Sequence, residues 1–277
     1  MKFLSKCYIG LIFLILYAPI LVVILFSFNR SGSLSQFSGF STYWYTELFR
    51  DGEALEALKN SLLLATFSSL LATLIGTLAA FSISRARNRY YRRAVESVSN
   101  IPMMNPDIVT GVSMMLLFVG VATMLGLSDV LGFWTMLIAH TTFNLPYVIL
   151  SVLPKFRQMD RNLTEAALDL GCTPAQTFLR VELPCILPGI VSGLMMSFTL
   201  SLDDFVISHF VSSPDFKTLP LYIYNQTAHE VKFSMYALCT LLIVVILVLL
   251  IAVNFAGSAG ENRTTRKPKH ATGGGKA

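Results

Sequence analysis

The chain has 277 residues, of which 54% are hydrophobic and only 13% are charged. A soluble domain of this size normally carries about a quarter charged residues. The apolar residues also stand in blocks long enough to cross a bilayer, which takes roughly 20 mostly apolar residues. Composition and blocks together exclude an ordinary soluble domain and predict an all-α, polytopic membrane protein.

Six transmembrane helices are predicted in chain order, within a membrane domain over residues 1–256. The first apolar run follows Lys2 and Lys6 as a signal peptide would, but it is too long for one and no small-residue cleavage site follows it. We therefore predict an uncleaved first span. The spans are Tyr8–Phe28, Asn60–Ser84, Pro106–Leu127, Phe133–Leu153, Ile186–Phe210 and Tyr236–Phe255.

The distribution of lysine and arginine predicts the orientation of these spans. If the N-terminus lies inside, the inside segments hold 16 of the 21 basic residues, and the outside segments hold five. Basic residues concentrate on the cytoplasmic side of membrane proteins. The net charge of +5 therefore indicates topology, with both termini cytoplasmic, and not nucleic-acid binding.

The C-terminal tail and the four cysteines carry no recognisable site. Residues 257–277 are polar, Gly-rich and basic, so we expect disorder there. The cysteines form no CxxC pair and none falls in an outside segment, which predicts neither disulfides nor metal ligands. They are Cys7, Cys172, Cys185 and Cys239.

The segment between the fourth and fifth spans, residues 155–184, contains two predicted short helices. Asn162 is expected to cap the first, with Glu165 as its reciprocal partner. The spacing of four apolar residues predicts one helical face, and Gly171 suits the left-handed residue that ends such a helix. The apolar face consists of Leu163, Ala166, Ala167 and Leu170.

The second short helix has clear start signals. Thr173 is expected to cap it, with Pro174 at its first position and Gln176 completing the capping box. Pro184 is expected to end it.

Two helices joined by a glycine have the outline of a DNA-reading helix-turn-helix. This segment is about thirty residues long, has no supporting third helix, and offers Arg180 as the one cation of its second helix. We therefore predict no nucleic-acid binding. Two interpretations stay open: an arm that docks on a cytoplasmic partner, or a loop that packs on its own span ends.

This segment resembles the cytoplasmic EAA loop of ABC importer permeases. Their pattern is E-A-A, three residues, G, nine residues, I-x-L-P, and this chain departs from it once, with Val181 in place of isoleucine. The resemblance implies that the segment docks on a separate ATP-hydrolysing subunit and couples it to the spans. The residues that carry the match are Glu165, Ala166, Ala167, Gly171, Leu183 and Pro184.

Over most of its length the chain is similar to permeases of the spermidine/putrescine importer group. The similarity rests on "YAPILVVILFSFN", "NPDIVTG", "HTTFNLPYV" and "FTLSLDDFVISHFVSSP". It implies a type I ABC importer permease fold in the bacterial inner membrane and polyamines as the cargo. It also implies partners: ATP-binding subunits, a second homologous permease, and a periplasmic or lipid-anchored substrate-binding protein.

The chain itself carries no phosphate-binding loop, which needs G-x4-G-K-[ST]. Its one Gly-Lys pair, Gly275-Lys276, is followed by Ala277 and has His270 where the first glycine should stand. We therefore expect a permease that is not an enzyme and holds no cofactor, with ATP and Mg²⁺ bound by the partner ATPase.

Acidic residues within predicted spans are costly, at roughly 2.5–3.5 kcal/mol each at the bilayer centre, and usually have a function. Asp107 follows Pro102 and Pro106, which should interrupt a helix, and Asp203-Asp204 lies late in the fifth span. One of that pair should face a pore, because adjacent helical residues point about 100° apart. The alternatives are a helix-capping role for Asp107 and an interfacial position for the pair.

Aromatic and polar residues nearby could complete a site for a cationic cargo. Phe143 and Tyr147 are the main candidates. We expect the histidines of this set to be hydrogen-bonded within the helix bundle and not to bind metal. The other members are Trp134, His140, Asn144, Phe205 and His209.

Two rival classes of transporter are considered. A proton- or sodium-coupled transporter predicts an internal repeat with paired broken helices, and the sequence shows one clear break, at Pro102–Pro106. A channel predicts a filter or a series of gating charges, and neither is visible. An ABC permease for another small solute remains the nearest alternative, because fold does not fix cargo.

The six-span topology can be tested with reporter fusions. Fusions within residues 30–58 and 212–234 should report an outside location, and a fusion after Gly257 an inside location, because of the distribution of basic residues. An outside report from the C-terminal fusion would contradict this topology.

Overall fold

The computed structural model describes residues 2–31, 36–86, 88–127, 130–228 and 232–264. These residues form twelve α-helices and one π-helical turn, and no β-strand occurs among them. The first six helices are α1 (Lys2–Ser27), α2 (Tyr43–Leu48), α3 (Gly52–Arg85), α4 (Arg89–Met104), α5 (Asp107–Leu125) and α6 (Phe133–Gln158). The others are α7 (Arg161–Asp169), α8 (Pro174–Thr177), the π-turn (Phe178–Glu182), α9 (Leu183–Asp203), α10 (Val206–Val211), α11 (Leu219–Thr227) and α12 (Ser234–Thr264).

Five helical runs in the described residues are long and apolar enough to cross a membrane. A sixth, shorter apolar stretch, Ser234–Val248, begins α12 and covers part of the last predicted span. The all-α prediction is confirmed. The five runs are Lys6–Ser27, Gly52–Arg85, Asp107–Leu125, Phe133–Gln158 and Pro174–Asp203.

The fifth predicted span, Ile186–Phe210, is wrong at its outer end. Helix α9 stops at Asp203, Asp204 takes an extended conformation, and α10 starts at Val206. The Asp204 carboxylate accepts hydrogen bonds from the backbone N–H groups of Ile207 at 3.3 Å and Ser208 at 2.8 Å. An aspartate that satisfies the free N–H groups of a new helix favours a break over a continuous helix.

The break predicted at Pro102–Pro106 is confirmed. Helix α4 ends at Met104, and α5 begins at Asp107 after Pro106, which has an extended backbone. Proline has no N–H to continue the helical ladder and disfavours a helical conformation in the residue before it.

Helices α3, α6 and α9 form the centre of the bundle and approach closely at glycines. A Cβ atom built on Gly76 would lie 2.7 Å from Cγ1 of Val148, and one on Gly189 would lie 2.8 Å from the carbonyl oxygen of Ser151. Small residues allow membrane helices to approach to this distance. The contact continues at Gly193, whose Cβ would lie 3.3 Å from the Val148 Cα.

Three hydrophobic clusters follow each other along the bundle. The cluster near the C-terminal end of α3 contains Val148, Val152, Phe156 and Ile186. The middle cluster contains Leu64, Met136, Phe143 and Ile207, and the cluster near the N-terminal end of α3 contains Leu48, Leu219, Tyr222 and Leu238. The bundle is thus packed by the chain itself around α3, α6 and α9.

The first helix is not packed in this way. No residue from Lys6 to Phe26 is buried, although this is the most apolar run of the chain. At the other end, α12 continues to Thr264 and so includes residues 257–264 of the segment predicted to be disordered. Residues 265–277 lie outside the described residues.

The glycine contact predicts a large effect of a small substitution. Gly189→Ala should lower the free energy of unfolding by about 1–3 kcal/mol, because its methyl group would overlap the α6 backbone. Gly120→Ala in α5 is the matched control, since a Cβ there meets nothing within 4 Å. Thermal unfolding of the detergent-purified protein measures both, and equal midpoints for the two variants would contradict the close-packing account.

Candidate functional site

Helix α7 begins the segment that resembles the EAA loop. The prediction that Asn162 caps it is wrong: the cap is Asp160, whose carboxylate accepts from the backbone N–H of Asn162 at 3.0 Å. A charged carboxylate at this position also interacts favourably with the positive end of the helix dipole, which an amide does not.

The turn at Gly171 has the predicted conformation, with a φ of +87°. The N–H of Cys172 donates to the carbonyl of Ala167 at 3.0 Å, and the N–H of Gly171 donates to that of Leu168 at 2.9 Å. This pair of bonds is the Schellman motif, in which glycine accommodates the left-handed residue. The turn between α7 and α8 is therefore specified by local sequence.

Helix α8 starts as predicted. The Thr173 hydroxyl accepts from the N–H of Gln176 at 3.3 Å, and the Gln176 side chain accepts from the N–H of Thr173 at 3.0 Å. Pro174 occupies the start of the helix, where its missing N–H costs nothing.

The prediction that Pro184 ends the second helix is wrong. The chain passes through the π-turn and continues into α9, so that residues 174–203 form one helical run. Within the π-turn the N–H of Leu183 reaches back to the carbonyl of Phe178. The wider turn lets Pro184 enter a helix although it has no N–H of its own to donate.

We call residues 160–177 the coupling arm. Of its predicted apolar face, only Ala167 is buried, while Leu163 is 47% and Leu170 is 86% exposed. Glu165 is also exposed, at the edge of a cleft whose lining includes Arg85, Arg92, Phe156, Arg157, Thr164 and Glu182. Thr177, at the end of the arm, is buried as well, so in the described part of the arm two small residues pack inward while larger apolar side chains stay exposed.

A buried ion pair at the base of this cleft was missed by the sequence analysis. Glu182, 2% exposed, accepts from the Arg85 guanidinium at 2.5 Å and from the Thr164 hydroxyl at 3.3 Å. The available signal was a lone acidic residue in the apolar stretch "VELP". Its partner could not be found from sequence spacing.

The two adjacent aspartates have different environments. Asp203 is exposed at the end of α9, whereas the Asp204 side chain is 8% exposed and lies 3.5 Å from Nε2 of His140. Asp204 thus points into the bundle, which leaves Asp203 as the member of the pair on a free surface.

His140 connects Asp204 to a chain of buried hydroxyls. Its Nδ1 lies 2.8 Å from the Ser201 hydroxyl and its Nε2 lies 3.2 Å from that of Ser208. Ser201 in turn contacts the Ser68 hydroxyl of α3 at 2.9 Å. The expectation that His140 is a hydrogen-bonded bundle residue is confirmed, and the network joins α3, α6, α9 and α10.

Asp107 lies exposed in the first turn of α5, after Pro106, so it is not the capping residue. Its carboxylate is close enough to the Tyr147 hydroxyl to interact with it electrostatically. Tyr147 is half-buried and packs on Phe143 with ring centroids 5.6 Å apart. Phe143 itself is 8% exposed within the middle cluster, so its ring supports Tyr147 and presents little free surface.

A second aromatic group lies next to Asp203 in the chain. Phe205 packs on Tyr224 at 4.7 Å and on His209 at 5.4 Å between ring centroids. Tyr224 in α11 was not predicted. Each accessible aspartate thus lies at or next to a helix break.

The remaining predicted residues, Trp134 and Asn144, do not join either aspartate in a site. Trp134 is 72% exposed, and Asn144 is fully buried with no hydrogen-bond partner for its amide group. Within the described part of the chain, no group of three metal-ligating side chains occurs.

At the outer end, Asp51 and Tyr222 fasten α11 to α3. The Tyr222 hydroxyl donates to the Asp51 carboxylate at 2.8 Å, and burial together with this bond raises the pKa of Tyr222 above its usual value. A neighbouring groove is lined by Glu53, Glu56 and Asp215 with Lys217. The groove is lined by three carboxylates and one ammonium group, so its lining is acidic.

Substitution of the two adjacent aspartates, Asp203 and Asp204, should affect stability differently. Asp204→Asn should lower the free energy of unfolding by about 1–3 kcal/mol, because it weakens the cap of α10 and removes the charge facing His140. Asp203→Asn, the matched control, should leave the thermal midpoint unchanged because its side chain is exposed. A lower midpoint for Asp203→Asn alone would contradict this assignment.

Comparison with known proteins shows the family to which the chain belongs. Residues 72–257 match the family described as "Binding-protein-dependent transport system inner membrane component". The chain is 38% identical over 231 residues to the putrescine transport system permease protein PotI of Escherichia coli (strain K12), covering 83% of this chain and 82% of that protein. It is 39% identical over 241 residues to the spermidine/putrescine transport system permease protein PotC of the same strain, covering 87% and 89%.

Among solved structures, one of a bacterial ABC transporter that imports the acidic polysaccharide alginate matches with a TM-score of 0.71 over 96% of each chain. The sequence identity is 18%, so this likeness establishes the fold alone. The interrupted helix bundle with its arm has the fold of an ABC importer permease, and the chain belongs to the family of inner-membrane components of binding-protein-dependent transport systems.

Proposed function

We propose that this chain is a permease subunit of an ABC importer that moves polyamines, putrescine or spermidine, into the cytoplasm. The observation that carries the proposal is the identity of 38% and 39% to permeases named for these cargoes, over more than four fifths of each chain. The polyamine cargo is inferred from these relatives and from the chemistry of the candidate path.

The path chemistry suits a cargo with several ammonium groups on an apolar chain. Asp107 and Asp203 are exposed carboxylates near separate helix breaks. Asp107 interacts electrostatically with Tyr147, and Phe205 follows Asp203 by two residues in the chain. An ammonium–carboxylate pair at about 4 Å is worth roughly 4 kcal/mol at an effective dielectric near 20, before desolvation is subtracted. Aromatic faces add a cation–π attraction. Two moderate sites in series hold a polyamine without trapping it.

The energy comes from a separate subunit that docks on the coupling arm. The exposed Glu165, Leu163 and Leu170 give the arm a mixed acidic and apolar surface that an ATPase groove can accept. ATP and Mg²⁺ are bound by that subunit. Because most basic residues fall on the arm side of the bundle, the arm and both termini face the cytoplasm.

A second permease completes the path. Helix α1 and most of α5 expose apolar side chains that the described part of the chain does not cover. Lipid or a homologous permease covers them, and one set of aspartates lines half of a path. A substrate-binding protein delivers the cargo to the outer face.

Uptake assays test the cargo and the path together. Asp107→Asn and Asp203→Asn should each lower the uptake of labelled putrescine and spermidine by about ten- to a hundredfold, because each 1.4 kcal/mol of lost attraction is about tenfold. Glu47→Gln, an exposed carboxylate on α2, is the control and should transport normally. Wild-type uptake by both asparagine variants would refute the cation path, and uptake of other solutes in preference to polyamines would refute the cargo.

A glycine substitution tests the arm. Gly171→Val should leave the protein in the membrane but uncouple transport from ATP hydrolysis, so that uptake is lost, since valine is strained at a φ of +87°. Gly126→Val is the matched control, because Gly126 also ends a helix with a positive φ, of +66°, but lies on α5 away from the arm. Normal coupled uptake by membrane-inserted Gly171→Val would contradict the docking role.

A further inference from the structure

We infer that Glu182 is a positioning residue that fastens the coupling arm to the membrane helices, so that movement of the arm is transmitted to α3 and α9 together. The inference rests on the proposed function, because only a docked ATPase would move the arm. The hydrogen bond from the arm to Glu182 comes from Thr164, which precedes the E-A-A-x3-G pattern.

The Glu182 carboxylate joins three elements at one point. Glu182 is the last residue of the π-turn, Arg85 is the last residue of α3, and Thr164 belongs to α7 in the arm. One oxygen, Oε1, accepts from both Arg85 and Thr164, at 2.5 Å and 3.3 Å. The arm, α3 and the base of α9 therefore share a single acceptor.

Because Glu182 is buried, losing either of its hydrogen-bond partners is costly. The Glu182 side chain is 2% exposed, and an unpaired carboxylate in such a place is strongly disfavoured. Bonds to a charged group are about twice as strong as neutral ones. A movement of the arm that broke the contact of Glu182 with Thr164 or Arg85 would therefore cost free energy. The cost is avoided if α3 and the π-turn move together with the arm.

Arg85 is held on a second side. Its guanidinium lies over the Phe81 ring at 4.6 Å, and Phe81 contacts Phe178 edge-on with centroids 5.0 Å apart. Phe178 is the first residue of the π-turn and Glu182 the last. Both ends of the π-turn are therefore fastened to the cytoplasmic end of α3.

The π-turn is the place where the arm joins α9, and π-turns inside helices often occur at functional positions. Left free, this wider turn would absorb a movement of the arm. Fastened at Phe178 and Glu182, it passes the movement on to α3. Thr164 directly precedes Glu165, so a force on the docking residues reaches Glu182 through one neighbouring side chain.

The test uses the full complex in liposomes, with ATPase subunits and a spermidine-loaded binding protein. We expect Glu182→Gln to retain the ATPase on copurification but to lower spermidine uptake per ATP hydrolysed by about tenfold, which corresponds to about 1.4 kcal/mol. Glu96→Gln is the control: Glu96 also forms ion pairs at this end of the bundle, but its partners are Arg157 and Arg92, which lie outside the arm. It should keep the wild-type ratio.

If Glu182 has only a structural role, Glu182→Gln should have a lower thermal midpoint but an unchanged uptake per ATP in the membrane-inserted protein. That result would overturn the inference. Thr164→Val decides the matter if Glu182→Gln does not insert, because it removes only the hydroxyl bond from an exposed arm. We expect it to lower uptake per ATP severalfold, and an unchanged ratio would overturn the inference. A wild-type chain that retains no ATPase would instead overturn the proposed function.

Discussion

The close contact of α3, α6 and α9 is the constraint on which the other features depend. Glycines on α3 and α9 let the helix backbones approach to distances that a methyl group would prevent, as at Gly76 and Gly189. Because the helices are so close, short polar side chains can connect them, and Ser68 reaches Ser201 directly. At the C-terminal end of α3 the same contact brings Arg85 to Glu182. The packing thus sets both the polar network within the bundle and the link to the arm.

Two helix breaks interrupt this packed frame, and each has an accessible aspartate. Free backbone N–H groups are costly inside a membrane and must be satisfied. At the second break Asp204 does this for α10, and His140 faces its charge. Asp203 is left free beside it. At the first break Pro106 occupies the N-cap position, and its carbonyl accepts from the N–H groups of Val109 and Thr110, so Asp107 is the first residue of the helix and not its cap. Asp204 therefore has a structural role at its break, whereas Asp203 and Asp107 stay accessible.

Some local features were predictable from the sequence, and contacts between distant segments were not. The positive φ of Gly171 and the Thr173 capping box depend on neighbouring residues, and both predictions are confirmed. The continuation of the helix past Pro184 was missed because the widened backbone before it has no sequence signature. The second break was missed because hydropathy does not distinguish a capping aspartate from one within a helix. The Arg85–Glu182 pair spans 97 positions, and only the folded bundle brings its members together.

We propose that ATP hydrolysis on a separate subunit, transmitted through the coupling arm, drives the cargo through this chain. Uptake by the purified complex in liposomes that contain ATP, with spermidine-loaded binding protein outside, measures this directly. We expect spermidine uptake that requires ATP on the arm side and continues when a protonophore removes the proton gradient. Uptake driven by a proton or sodium gradient without ATP would contradict it.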